Sequence, residues 1–349
     1  MKKTYQLVII GYGGMGKQHN QLLKKQTEIN VCGIYDIDPE VVLNAQHNKI
    51  KCYTSYTDVL NDSFVDIVLI ATPNHLHKDL SIQAMYAGKH VICEKPVTLN
   101  SQELEEIIEV QQKTNQIFMV HQNRRWDEDF LTVKKVYDEK SLGKLYHLEQ
   151  RVFGSRGIPT DWRKIKAFGG GMLLDWGVHM LDRLLIMIPE KVIEVYCKLS
   201  YALEEESDDG FWLLLTFESG ITALLDVGTI NLQNLPKWYV KFQKGTMMID
   251  DWHMNGRIVK LKNANEADAK PIVAGAGLTK TMAPRDDDSI IREQLDVVYG
   301  NILEFYHNFI ESINGKSQVI KNEEVLRVMK LIDLAYESDV MRQVVHTNI

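Results

Sequence analysis

The segment from Leu7 to Gly16, LVIIGYGGMG, constrains this chain more than any other. The apolar run Leu7–Ile10 meets Gly11, Gly13 and Gly16 in the spacing G-x-G-x-x-G. In that spacing one glycine permits a tight turn, one lets backbone approach a pyrophosphate, and one lets a helix pack close to a strand. The amides that open the helix, at Gly14 and Met15, then point toward phosphate. A second apolar run, Ile29–Tyr35, ends in Asp36, twenty residues past Gly16. A carboxylate there accepts hydrogen bonds from an adenosine ribose. It also repels a 2′-phosphate, and Ile37 and Asp38 offer such a phosphate no cation. The pattern predicts a dinucleotide site that takes NAD in preference to NADP. The plainer alternative is a glycine-rich strand–helix turn of an unrelated α/β protein.

A length of 349 residues fits about two domains. The net charge of −7 and the absence of a long basic run argue against nucleic acid or an anionic membrane as partner. No stretch approaches the length of a membrane span, and the apolar start is too short for a signal peptide. Cys32, Cys52, Cys93 and Cys197 show no C-x-x-C pairing or metal spacing. Cys32 and Cys93 lie in apolar runs and read as small buried hydrophobes. These features predict a reducing, cytoplasmic setting.

The first third alternates short apolar runs with helical patterns. Leu7–Ile10, Val31–Tyr35, Ile67–Ala71, His90–Cys93 and Ile117–His121 read as buried parallel strands. Between them His75–Ala87, closed by Gly88, and Ser101–Thr114, capped by Asn100, read as helices. This alternation predicts a doubly wound parallel sheet. After about residue 122 the pattern changes. A helix over Asp127–Lys140 precedes strand-like runs at Leu145–Phe153, Val192–Leu199, Trp212–Phe217, Thr222–Thr229, Trp238–Gln243 and Thr246–Ile249. Short turns between them predict an antiparallel meander in a second, α+β domain. Residues 262–289 read as a surface loop, with a lid as the alternative. Helical patterns over Ile290–Ile313 and Glu323–Val340 close the chain.

Three further clusters could carry chemistry. Thr72, Pro73, Asn74 and His77 follow the third strand, where ligands of open α/β sheets gather. Asn74 could equally cap the next helix. The fourth strand ends in Glu94-Lys95-Pro96. A lysine there is either a surface cation or a site cation, and a buried one can join proton transfer. The third cluster begins at Gly169-Gly170-Gly171, which reads as a flexible entry into a helix. Asp175 and His179 follow, four residues apart and so on one helix face. They form either a surface pair or a proton relay in which the carboxylate orients the imidazole. A histidine base of this kind predicts a rate that rises with pH through a histidine-like pKa. No third ligand at suitable spacing is visible, so no metal is predicted.

Together these blocks resemble the glucose-fructose oxidoreductase/inositol dehydrogenase/MocA (Gfo/Idh/MocA) family. The resembling pieces are GYGGMG at 11–16, ATPNHLHKDLSIQAMYAGKHVICEKP at 71–96 and GGGMLLDWGVHMLD at 169–182. The resemblance implies an α/β fold: a Rossmann domain over 1–122, then an α+β domain over 123–349 built on an open, mainly antiparallel sheet. That sheet commonly forms a subunit interface, which implies a homodimer or homotetramer. It also implies that Lys95 lies near nicotinamide and substrate, with Asp175 and His179 facing it across the cleft. His179 would be the acid/base, and Asp175 would orient it or bind a substrate hydroxyl. Trp162 and Arg163 would line the nicotinamide pocket. The segment Asn123-Arg124-Arg125-Trp126 would place Arg125 on the cofactor and Asn123 on the substrate. The implied activity is an NAD-dependent dehydrogenase acting on a secondary alcohol of a cyclic polyol, sugar or sugar derivative. The family also contains NAD-dependent glycosidases and non-catalytic dinucleotide-binding regulators. The intact EKP and D-x-x-x-H sets argue against the regulator.

Overall fold

The structure is a computed structural model and describes residues 3–263 and 270–349. Its first lobe alternates strand and helix as the apolar runs require: β1 (Tyr5–Ile10), α1 (Gly14–Leu23), β2 (Ile29–Tyr35), α2 (Pro39–His47), α3 (Tyr56–Asn61), β3 (Ile67–Ile70), α4 (His77–Tyr86), β4 (His90–Cys93), α5 (Ser101–Thr114) and β5 (Phe118–Val120). The five strands are parallel in the order β2-β1-β3-β4-β5. Leu7, Ile9, Ile67, Leu69, Val91 and Phe118 have no exposed surface, because helices cover both faces of this sheet. The chain leaves β1 for one side of the sheet and returns to β3 on the other. That switch opens a crevice at the carboxyl ends of the strands. Gly16 is fixed by contact: a Cβ there would lie 2.2 Å from the Gly11 carbonyl oxygen, so any side chain would push α1 off the turn. Asn100 caps α5 by accepting from the Glu103 N–H at 3.0 Å, as its sequence position predicts.

The second lobe comprises α6 (Glu128–Glu139), β6 (Leu145–Phe153), α7 (Val178–Met187), β7 (Val192–Ser200), β8 (Gly210–Phe217), β9 (Thr222–Gly228), β10 (Trp238–Phe242), β11 (Gly245–Ile249), β12 (Gly256–Leu261), β13 (Ile272–Ala274), β14 (Gly277–Thr279), β15 (Ile290–Gln294), α8 (Leu303–Ile313), α9 (Asn322–Met341) and β16 (Val345–His346). A nine-stranded sheet runs β15-β12-β11-β10-β6-β9-β8-β7-β16. It is not the simple meander that the turns suggest. β6 is inserted between β9 and β10 and pairs with β9 in parallel. Alternation of apolar residues marks a half-buried strand but carries no record of its partner. Ile290–Gln294 also departs from the helical reading. It is an edge strand on β12, suited to β-branched Ile290 and Ile291, and the helix begins only at Leu303. Residues 264–269 of the predicted loop lie outside the described residues. The rest of that loop carries the small hairpin of β13 and β14.

One face of this sheet buries Val195, Cys197, Phe211, Leu213, Leu215 and Leu225, and α9 packs on β7 and α7. The opposite face leaves Tyr196, Trp212 and Leu214 exposed. Cys93 is buried as expected, and Cys32 is half-buried. Among the described residues no helix is long and apolar enough to cross a membrane.

The lobes are tied by Arg125, whose guanidinium holds both oxygens of Asp182 on α7, at 2.8 and 2.7 Å. It also donates to Glu324 on α9 and to the Val319 carbonyl. Nε, Nη1 and Nη2 are each bonded inside the protein, and Arg125 is only 9% exposed. Removing one partner of a buried ion pair leaves the other charge stranded. Asp182→Ala should lower unfolding stability by about 3 kcal/mol, the lower end for such a loss because Glu324 remains. Urea titration should show a lower midpoint with an unchanged slope.

Candidate active site

A cavity of about 910 Å³ opens at the switch point. Of the residues singled out from sequence, Gly11, Gly13, Gly14, Met15, Asp36, Ile37, Thr72, Pro73, Asn74, Glu94, Lys95, Trp162, Arg163 and Asp175 line it. Gly16, His77, Asn123, Arg125 and His179 do not. The lining spans both lobes, with Asp36 following β2 and Trp162, Arg163 and Asp175 contributed by the second lobe.

The glycine turn fits a dinucleotide on its own geometry. No side chain caps α1 at Gly13, so the first-turn amides keep their donors. A Cβ built on Gly13 or Gly14 would meet nothing within 4 Å, so the space beside this backbone is open to a phosphate. Asp36 accepts from the Tyr12 and Asp38 N–H groups at 2.6 and 2.9 Å, which fixes its carboxylate at the cavity edge. Among the described residues no lysine or arginine lines this end; the lining cations, Lys95 and Arg163, accompany Asp175 and Trp162.

At that other end Lys95 Nζ meets Asp175 Oδ1 at 2.7 Å and the Asp175 carbonyl at 3.2 Å. Burial alone would raise the Asp175 carboxyl, but Lys95, with Arg163 and Arg124, holds it below the ordinary range. Asp175 sits in a π-helical turn, Leu173–Gly177, that leads into α7. Such turns recur where a helix must re-aim a functional side chain. Asp175 is thus bound by Lys95 and does not orient His179. The His179 imidazole is buried, its Nδ1 has no hydrogen-bond partner, and its ring packs edge-on against Trp176. Burial, then the charges of Lys95, Arg124 and Arg183, drive its pKa well below 6.5. The pH limb expected of an ordinary histidine moves acidward for this one.

The glycines at 169–171 are not a flexible entry. A Cβ on Gly171, whose φ is +104°, would lie 2.1 Å from Asp208 Oδ1. Asp208 is there because its carboxylate accepts from the Leu173 N–H at 2.8 Å and opens the π turn. Burial pushes that carboxyl up to about 6. The Asn74 amide donates to the Gly169 carbonyl at 2.8 Å across the lobes, and caps no helix. His77 is buried between the Thr72 and Pro96 carbonyls, at 2.9 and 2.8 Å, so it clips two cavity loops together without reaching the cavity.

Several neighbours were not visible in the sequence. Tyr35, Tyr56 and Leu80 add apolar wall. Arg124 lies 4.2 Å over the Trp176 ring and adds positive charge near Asp175 and His179. His19, Glu94 and His121 form a buried cluster whose ligand atoms lie within 4.8 Å of one another. Both histidines meet the same Glu94 oxygen at hydrogen-bond length, so protons rather than a metal account for the spacing.

Comparison with known proteins agrees with this geometry. Residues 5–122 match the Gfo/Idh/MocA oxidoreductase family, NAD-binding Rossmann fold, and residues 130–248 match the Gfo/Idh/MocA C-terminal domain. A solved NAD-binding protein from Listeria innocua is 48% identical, with a TM-score of 0.96 over 99% of this chain and 100% of its own. The scyllo-inositol 2-dehydrogenase (NADP(+)) IolW of Bacillus subtilis is 26% identical over 96% of this chain and 94% of its own. The myo-inositol 2-dehydrogenase of Thermotoga maritima is 29% identical over 62% of this chain and 66% of its own.

The charges around His179 make a testable statement. In an NMR titration its imidazole should take up a proton only well below pH 6.5. Lys95→Met removes a neighbouring positive charge and should move that midpoint upward. An unmoved midpoint would contradict the coupling.

Proposed function

Because the chain belongs to the Gfo/Idh/MocA family of NAD-binding oxidoreductases, we propose that it oxidises a secondary alcohol of a cyclic polyol, sugar or sugar derivative, with NAD as the preferred acceptor. The observation that carries this reading is the Lys95–Asp175 pair, 2.7 Å apart, in the same cavity as the glycine turn. When bound, the dinucleotide supplies the hydride acceptor, and Gly11, Gly13, Gly14 and Met15 would hold its pyrophosphate. Asp36 would take the adenosine ribose, and Trp162 and Arg163 would cover the nicotinamide end.

The chain's own residues handle the proton. Lys95 donates a hydrogen bond to the reacting hydroxyl oxygen and stabilises the negative charge that grows there. Asp175 keeps the Lys95 ammonium aimed into the cavity. The family resemblance gives His179, neutral at ordinary pH, as the acceptor of the hydroxyl proton and Asn123 as the partner of a neighbouring hydroxyl, and both stand behind the residues that line the cavity. The names of the inositol dehydrogenases above support a cyclic polyol as substrate. The Bacillus relative is named for NADP(+), whereas the uncharged and acidic neighbours of Asp36 support NAD here.

A panel of inositols and aldoses, read by nicotinamide absorbance with NAD and then NADP, tests this. Net reduction of NAD by a cyclic polyol or aldose, with lower kcat/KM for NADP, is expected. Cleavage of a glycoside without net reduction would overturn the reading. Lys95→Ala should lower kcat by about 10²–10⁴-fold while NAD still binds.

The exposed Trp212, Leu214 and Tyr196 on the outer face of the second sheet support assembly of two or four copies through that face. Light scattering should report a dimer or tetramer that Trp212→Asp dissociates. A monomeric wild type would overturn it.

A further inference from the structure

Glu94 lines the cavity yet is only 4% exposed, and its surroundings are built around its charge. Its Oε1 lies 2.8 Å from His19 Nε2 and 2.8 Å from His121 Nδ1. Its Oε2 accepts from the Lys95 N–H at 3.1 Å. The other nitrogen of His19 lies 2.7 Å from the Tyr306 hydroxyl. The four side chains come from α1, the end of β4, the end of β5 and α8, and all are buried.

The partners assign the protons. Each ring spends an N–H on the Glu94 oxygen, and His19 Nδ1 then accepts from the Tyr306 O–H. Among the described residues His121 Nε2 has no partner, a buried position suited to a lone pair and costly for an N–H. Burial pulls His19 below its ordinary range. Burial alone would raise the Glu94 carboxyl, but His121 and then His19 more than reverse this and hold it well below the ordinary range.

At this end of the cavity the other charges are matched. Lys95 is paired with Asp175, and Arg163 with Asp161. Arg124, nearby, is paired with Asp127. Glu94 is the carboxylate whose side-chain partners are two histidines rather than a lysine or arginine. A pyrophosphate on the glycine turn, with adenosine at Asp36, leaves the nicotinamide ring at the Glu94–Lys95 end. The oxidised ring is a cation and the reduced ring is neutral.

We propose that Glu94, held ionised by His19, His121 and Tyr306, selects the oxidised dinucleotide over the reduced one. The proposal rests on the oxidoreductase reading, and its test needs no substrate. NAD+ and NADH are titrated separately by calorimetry onto the full chain and onto Glu94→Gln. The variant should lose roughly tenfold in its preference for NAD+, the order expected of one charge acting over several ångströms in a protein site. The loss should fall on NAD+, with NADH affinity nearly unchanged. Glu94→Asp keeps the charge and should restore most of the preference. Equal weakening of both forms would reduce Glu94 to a packing role and overturn the proposal. If the wild type binds neither form, the oxidoreductase reading fails instead. Should Glu94→Gln not fold, Tyr306→Phe removes one oxygen away from the cavity and should cut the preference by about threefold, as a network member does. An unchanged preference there would overturn the proposal.

Discussion

The contact between Lys95 and Asp175 is the constraint that most of the structure serves. Its lysine leaves the end of β4, and its acid comes from the π turn before α7. Neither lobe can place both groups alone. Everything that fixes the two ends narrows the same 2.7 Å gap. On one side Glu94 takes the Lys95 N–H and His77 clips the Pro96 carbonyl. On the other, Asp208 opens the π turn and Gly171 gives it room. Between the lobes, Asn74 reaches Gly169 and Arg125 grips Asp182. An ion pair this well supported loses little entropy when it orients a ligand, because its side chains are already ordered.

Much of the first lobe was legible because its rules are local. A buried parallel strand must be apolar on both faces, and a glycine turn must be followed by a helix. Runs such as His90–Cys93 and Ser101–Thr114 therefore carry their own boundaries. The second lobe was legible strand by strand but not in its order. The parallel step from β6 to β9 is decided by which edges meet after collapse, and no residue within either strand records it. Ile290–Gln294, two adjacent isoleucines followed by Arg, Glu and Gln, is too short to show either period.

The site shows the same division. The glycines and Asp36 are legible because a dinucleotide turn demands those residue types at fixed distances along the chain, whereas Lys95 is marked by the family resemblance and not by spacing. Arg124 and Arg125 are adjacent in sequence and opposite in role, one over Trp176 and one locked to Asp182. The short 3₁₀ turn over Asn123–Trp126 sends the two side chains to different partners. Asp175 and His179 looked like partners because they share a helix face, yet the acid is claimed by a lysine from another lobe. Spacing along a helix names possible neighbours; competition from the rest of the fold chooses among them. Nothing in the sequence around His19 marks it, because its partners come from α8 and from the end of β4.

That last contact bears on how the chain is made. Tyr306 enters from a helix near the far end of the sequence, and it satisfies a histidine buried under the glycine turn. Tyr5, on the first strand, likewise meets Asn314. During synthesis the parallel sheet emerges long before these partners. A nascent first lobe leaves that imidazole nitrogen to water until α8 docks. The dinucleotide pocket is thus finished by the last third of the polypeptide. The first lobe is a domain by its sheet, but not a module that could be cut out whole.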